Sequence, residues 1–201
     1  MQISVLNKVS RNSLFLNPFP FIYIKNCLPE EIYSQLEKEY PSDDEIITKQ
    51  KWNLNIKQNQ RIDLNASQFI KNKENYSDLW NSFIEYHTSK SFFNEVINLF
   101  DPFLEKYYKE KAIFLKENCN IGIRYTDNDI HPISLDCQIG INTPTKIKSS
   151  VKGPHIDSPE EIFGGFLYFK ERHSKTIGGD FEIYRWKEDE KKLFTGNYVS
   201  L

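Results

Sequence analysis

The sequence predicts an α+β fold: a mainly helical part, residues 1–118, followed by a strand-rich part, residues 119–201, in one domain. Two observations carry this. The first 121 residues contain no glycine, and all eight glycines lie between Gly122 and Gly196. Glycine marks tight turns and close backbone approaches, so turns concentrate in the second part. Apolar residues also recur at helical spacing before that boundary and at a period of two after it. A chain of 201 residues suits one domain. With 39% hydrophobic and 14% aromatic residues it buries a core rather than staying disordered.

The elements follow in order. Residues 19–25, Phe-Pro-Phe-Ile-Tyr-Ile-Lys, read as a short strand. Leu28-Pro29-Glu30-Glu31 opens a helix, because Pro29 suits a first turn and Glu30 and Glu31 complement the helix dipole. Ile32, Leu36 and, less neatly, Tyr40 continue it to Pro41. Residues 77–100 predict two helical pieces, one carrying Leu79, Phe83 and Tyr86, the other Phe92, Phe93, Val96, Ile97 and Phe100. Asp101-Pro102 is expected to begin a separate segment through Leu104, Tyr107 and Tyr108. Beyond it Ile121, Ile123 and Tyr125 alternate with Gly122 and Arg124, and Cys137, Ile139 and Ile141 with Gln138 and Gly140. Residues 166–169 and 181–186 read as further strands, residues 127–132 and 143–153 as loops, and residues 187–192 as a charged hairpin tip.

Composition excludes several function classes. Twenty-six basic against 28 acidic residues leave a net charge of −2, which argues against non-specific nucleic-acid binding. No apolar run approaches the roughly 20 residues of a membrane span. Cys27, Cys119 and Cys137 form no C-x-x-C pair, so they read as reduced thiols of a cytoplasmic protein rather than a disulfide framework or a structural zinc site. The N-terminus has Lys8 and Arg11 before an apolar stretch, but Asn17, Pro18 and Pro20 interrupt it, and it reads as mature protein.

The chemistry concentrates in Gly153-Pro154-His155-Ile156-Asp157-Ser158-Pro159. On an extended chain, residues i and i+2 point to one face. His155 and Asp157 therefore offer an imidazole nitrogen and a carboxylate oxygen to one metal ion, two-thirds of the two-His, one-carboxylate triad of non-haem Fe(II) oxygenases. The runs Gly164-Gly165-Phe166-Leu167-Tyr168-Phe169 and Gly178-Gly179-Asp180-Phe181-Glu182-Ile183-Tyr184 follow closely. With the opening Pro-Phe-Ile-Tyr-Ile-Lys-Asn-Cys-Leu-Pro-Glu-Glu, these residues resemble the 2-oxoglutarate/Fe(II)-dependent oxygenase superfamily, on its prolyl-hydroxylase-like side. The resemblance covers both ends of the chain; the helical middle is less diagnostic.

The resemblance implies a double-stranded β-helix, or jelly-roll, core with the N-terminal helices packed on one sheet, burying Leu79, Phe83, Phe93 and Ile97. It implies Fe(II) as cofactor, held by His155 and Asp157, and 2-oxoglutarate as co-substrate. Tyr168 matches a tyrosine that hydrogen-bonds the far carboxylate of 2-oxoglutarate, and Tyr125 is a second candidate to face it. The implied reaction consumes O₂, hydroxylates an unidentified substrate and releases succinate and CO₂.

The departures are as informative. The family's third ligand is a later His followed by an Arg or Lys that pairs with the co-substrate. After Asp157 the chain holds only His173, in a polar loop where a solvated role is expected, and Arg185 comes too early for the basic partner. His87 and His131 precede the motif and read as structural. The core is accordingly expected to be incomplete, the missing His and Arg or Lys to lie beyond Leu201, and the chain as written to turn over 2-oxoglutarate poorly or not at all. Two function classes stay open: a dioxygenase, and a non-catalytic jelly-roll binding module that lacks the distal ligand. A plain interaction protein has no positive sequence feature.

Overall fold

The structure, a computed structural model, describes residues 3–48, 57–108, 111–116, 120–126, 131–147, 149, 155, 157–158, 160–169, 175, 177–178 and 181–184. Among them the chain is a mixed α+β protein with six α-helices and two small sheets of two strands each, and no closed barrel.

Near the N-terminus, Ile3 is buried in the core and a short 3-10 turn spans Arg11–Ser13. The strand predicted at 19–25 shrinks to one antiparallel bridge, Phe15 to Phe21, with the two rings stacked at 5.0 Å. Pro18 and Pro20 have no N–H to give a ladder, so pairing stops after one rung. Helix α1 (Glu30–Lys38) starts directly after Pro29 and buries Ile32 and Leu36. Helix α2 (Asp43–Thr48) is capped reciprocally: the Glu45 carboxylate accepts from the Ser42 backbone N–H at 2.8 Å, and Ser42 Oγ accepts from the Glu45 N–H at 3.3 Å.

Strand β1 (Arg61–Leu64) buries Ile62 and Leu64 at alternate positions. Helix α3 (Ala66–Ile70) opens on an Asn65–Gln68 capping box, and Asp136 accepts from the Ala66 N–H at 2.9 Å. Helix α4 (Asp78–His87) is capped by Ser77. Helix α5 (Lys90–Tyr108) then runs straight through Pro102, where the sequence predicted a new segment. Proline cannot donate to the carbonyl four residues back, here Asn98. Arg11 takes over that carbonyl, donating from Nε at 3.2 Å and Nη2 at 2.9 Å. Helix α6 (Lys111–Lys116) packs on α5, and Lys116 Nζ lies 2.7 Å from the Asp101 carboxylate.

Strands β2 (Ile121–Ile123) and β3 (Ile133–Leu135) pair in parallel, Ile121 opposite Ile133. Strand β4 (Ile139–Asn142) pairs antiparallel with β1, Arg61 opposite Asn142 and Leu64 opposite Ile139. Each sheet has its own core. The β1–β4 core gathers Leu36, Ile62, Leu64, Phe69, Trp80 and Ile139; the other joins Phe93, Ile97, Leu104, Leu115 and Leu135. All four helix residues expected to be buried are buried, but not on one sheet: Leu79 and Phe83 belong to the first core, Phe93 and Ile97 to the second.

Residues 166–169 keep the predicted period of two without a ladder partner among the described residues. Leu167 and Phe169 pack on the first core, while Phe166 and Tyr168 face out. Residues 181–184 are likewise extended without a ladder; Arg185, Trp186 and the tip at 187–192 lie outside the described residues. Among the described residues no helix is long and apolar enough to cross a membrane.

Candidate functional site

His155 Nε2 and Asp157 Oδ1 lie 3.4 Å apart, with the side chains 46% and 64% exposed. Donors bound at about 2.0–2.2 Å to one ion stand roughly 3.0–3.4 Å apart at angles between about 90° and 109°. The separation of the two donor atoms lies in that range. Next to it the chain turns, with the Glu161 N–H donating to the Ser158 carbonyl at 2.8 Å. Among the described residues no group of three or more His, Cys, Asp or Glu side chains is placed to hold a metal, so a third protein ligand is not supplied there. His173 and Arg185 lie outside the described residues.

Tyr168 is 52% exposed and opens on a groove of about 1020 Å³. Its backbone carbonyl accepts from the Tyr33 hydroxyl at 3.3 Å, which ties it to α1. Neither His155 nor Asp157 lines this groove. Tyr125 is not on β2, which ends at Ile123. It sits in a left-handed turn with φ 64°, where Thr126 Oγ1 folds back to the Ile123 carbonyl at 2.9 Å. The Arg124 guanidinium lies 4.8 Å from its ring centre. Tyr125 does not line the groove either. Gly178 has φ 95°, a conformation that favours glycine, in keeping with a backbone role for the Gly-Gly pair; Gly179 lies outside the described residues.

The remaining histidines have other surroundings. His87 is buried; its Nδ1 donates to the Phe83 carbonyl at 2.7 Å and its Nε2 accepts from the Val5 N–H at 3.2 Å. Burial holds its pKa below the usual histidine value, so the ring is neutral and fully used in joining the N-terminal segment to α4. The His131 ring lies against Gly122, where an added Cβ would meet its Cδ2 at 2.0 Å.

The groove itself was not legible as a site from the sequence. Glu37 and Lys38 at the end of α1, and Tyr40 just beyond it, line one part of the groove. Tyr33 stacks on Phe169 at 5.1 Å, and the Tyr40 hydroxyl donates to the Gly140 carbonyl at 2.9 Å. Tyr33 of α1 thus contacts residues 168–169, and Tyr40 contacts β4. Burial, with the Asp63 and Asp43 charges adding to it, pushes the Tyr40 phenol up to about 12, so it remains a donor. Burial likewise pushes the Cys137 thiol up to about 12, which keeps it protonated and unreactive.

No family model, no curated protein and no solved structure matches the chain.

Proposed function

We propose that the chain carries the metal-binding motif of a 2-oxoglutarate- and Fe(II)-dependent dioxygenase, built on a jelly-roll framework and acting on an unidentified substrate. The observation that carries this is the 3.4 Å approach of His155 Nε2 to Asp157 Oδ1. A neutral imidazole and a carboxylate are the donor types such a centre uses, at a separation one ion can bridge. Iron(II) with 2-oxoglutarate and O₂ supplies the oxidising power to hydroxylate an unactivated C–H bond, with release of succinate and CO₂. His155 and Asp157 would hold the metal. The resemblance would make the Tyr168 phenol the donor to the distal carboxylate of the co-substrate, although Tyr168 opens on a groove that neither His155 nor Asp157 lines. Tyr125, held in its turn beside Arg124, is the second candidate to face it.

A second reading has an observation in its favour. The groove is complete without either metal donor, and the described residues supply no third ligand. On that reading the chain is a non-catalytic binding module. Mn²⁺ as a spectroscopic probe, followed by succinate release in the presence of Fe(II), separates the two. Mn²⁺ binding lost in His155→Ala and Asp157→Ala, with succinate formed by the unaltered chain, supports the dioxygenase. Metal binding without succinate supports the module. No metal binding above that of the double variant removes the basis of both metal roles.

A further inference from the structure

We infer that the groove between β4 and residues 167–169 is a strand-addition site for an extended peptide carrying a lysine or arginine, whose cationic side chain reaches Glu37. Three independent features lead there. The first is the edge of β4. Thr143 donates its N–H to the Gln60 carbonyl at 2.8 Å, in the register that sets Ile141 opposite Ile62 and Ile139 opposite Leu64. In an antiparallel ladder inward and outward backbone pairs alternate, so Gly140 and Asn142 turn their N–H and C=O groups away from β1. The Tyr40 bond to the Gly140 carbonyl on that outer side agrees. Among the described residues none bonds the Gly140 N–H, the Asn142 N–H or the Asn142 C=O. The Tyr40 hydroxyl takes the outward Gly140 carbonyl and Pro144 has no N–H, so the groups left as a template for another strand are the Gly140 N–H and the Asn142 N–H and C=O.

The second feature is the space. The groove borders this edge from Gly140 to Pro144, and Leu167, Tyr168 and Phe169 form the facing wall. Ile141, Leu167 and Phe169 give it an apolar lining that side chains on one face of an added strand would cover.

The third feature selects the charge. Glu37 lines the groove, and its Oε1 is buried with no hydrogen-bond partner. A buried carboxylate oxygen without a donor is costly, and a cationic group is the donor that relieves most of that cost. Lys38, Lys57 and Asp43 also line the groove and leave it mixed in charge, so the selection rests on the unpartnered Glu37 Oε1. The site uses neither His155 nor Asp157, but it shares Tyr168 with the dioxygenase reading.

The test is isothermal titration of the full chain with a seven-residue peptide of alternating threonine and valine carrying a central lysine, beside the same peptide with central methionine or glutamate. The lysine peptide is expected to bind at least about tenfold more tightly than the methionine peptide, and Glu37→Gln to remove that difference. Asn142→Pro deletes an outward N–H and leaves the backbone bonds to β1, though it also removes the Arg61 Nε–H bond to Asn142 Oδ1 at 3.4 Å; it is expected to weaken both peptides alike, with thermal unfolding confirming that the variant folds. Equal affinity for lysine and methionine peptides, or binding indifferent to Asn142→Pro, would overturn the assignment. So would failure of every peptide to bind at millimolar concentration, or self-association abolished by Asn142→Pro, which would give the edge to a second copy of the chain.

Discussion

The passage of α5 through Pro102 sets a measurable coupling between residues 11 and 102. Proline inside a helix costs about 3 kcal/mol relative to alanine, through the missing hydrogen bond and the clash of its ring with the carbonyl four residues back. Here that carbonyl, Asn98, receives two N–H groups from Arg11, at 2.9 and 3.2 Å. A hydrogen bond from a charged donor contributes about 1.5–3 kcal/mol when shielded. The Arg11 side chain is 57% exposed, so solvent screening reduces that to roughly 1 kcal/mol. Its approach to Asp101 at 3.5 Å adds little, because Lys116 already holds that carboxylate at 2.7 Å. Arg11→Met, which keeps the apolar stem, is expected to cost about 1 kcal/mol, a fall in Tm of roughly 2–4 °C for a chain of this size. Pro102→Ala restores an N–H at position 102 that bonds Asn98 directly, and in that background the cost of Arg11→Met should fall to a few tenths of a kcal/mol. Urea unfolding of the four proteins in this cycle measures the coupling. An equal cost of Arg11→Met in both backgrounds would refute the idea that Arg11 substitutes for the missing proline bond.

Three further outcomes are expected. His87 has its pKa lowered by burial, so the stability its neutral ring contributes is present above the unfolded value of about 6.5 and is lost as pH falls from there toward the folded pKa; the urea midpoint should drop between pH 7.5 and 5.5, and a His87→Gln variant with the same pH slope would count against it. Phe69→Ala, at a fully buried ring stacked 3.9 Å from Tyr76, should cost about 3–5 kcal/mol in chemical denaturation. Gly122→Ala drives a methyl into the His131 ring and should cost about 1–3 kcal/mol by thermal unfolding, with His131→Ala as a second change recovering most of the loss.

Local periodicity was read correctly wherever one element meets one core. Ile32 and Leu36 are buried at helical spacing, as are Leu79 and Phe83, because a helix with one apolar stripe has only one face to bury. The inward Leu167 and Phe169 and outward Phe166 and Tyr168 follow from the alternation of an extended chain, which holds whether or not a neighbour completes a ladder. Tyr125 departs from it, because Thr126 bonds back to Ile123 and turns the chain one residue early.

Other features depend on residues far apart in the chain, and no local pattern carries them. Pro102 reads as a helix start until Arg11 is found on the carbonyl of Asn98, 87 positions after it in the chain. The strand at 19–25 shrank to a single bridge, because Pro20 within it and Pro18 just before it have no N–H to give a ladder. Leu79 and Phe83 share a pattern with Phe93 and Ile97, yet they separate into two cores because β1 pairs with β4 and β2 with β3. Glu37 reads as one more solvated acid on a charged helix. It comes to line a groove where Tyr33 and Tyr40, near it in the chain, reach Tyr168 and Gly140, 135 and 100 residues away. Apolar period is a property of each segment, set by backbone geometry; which segments meet is set by the contacts that together bury the most surface and leave the fewest polar groups unpaired.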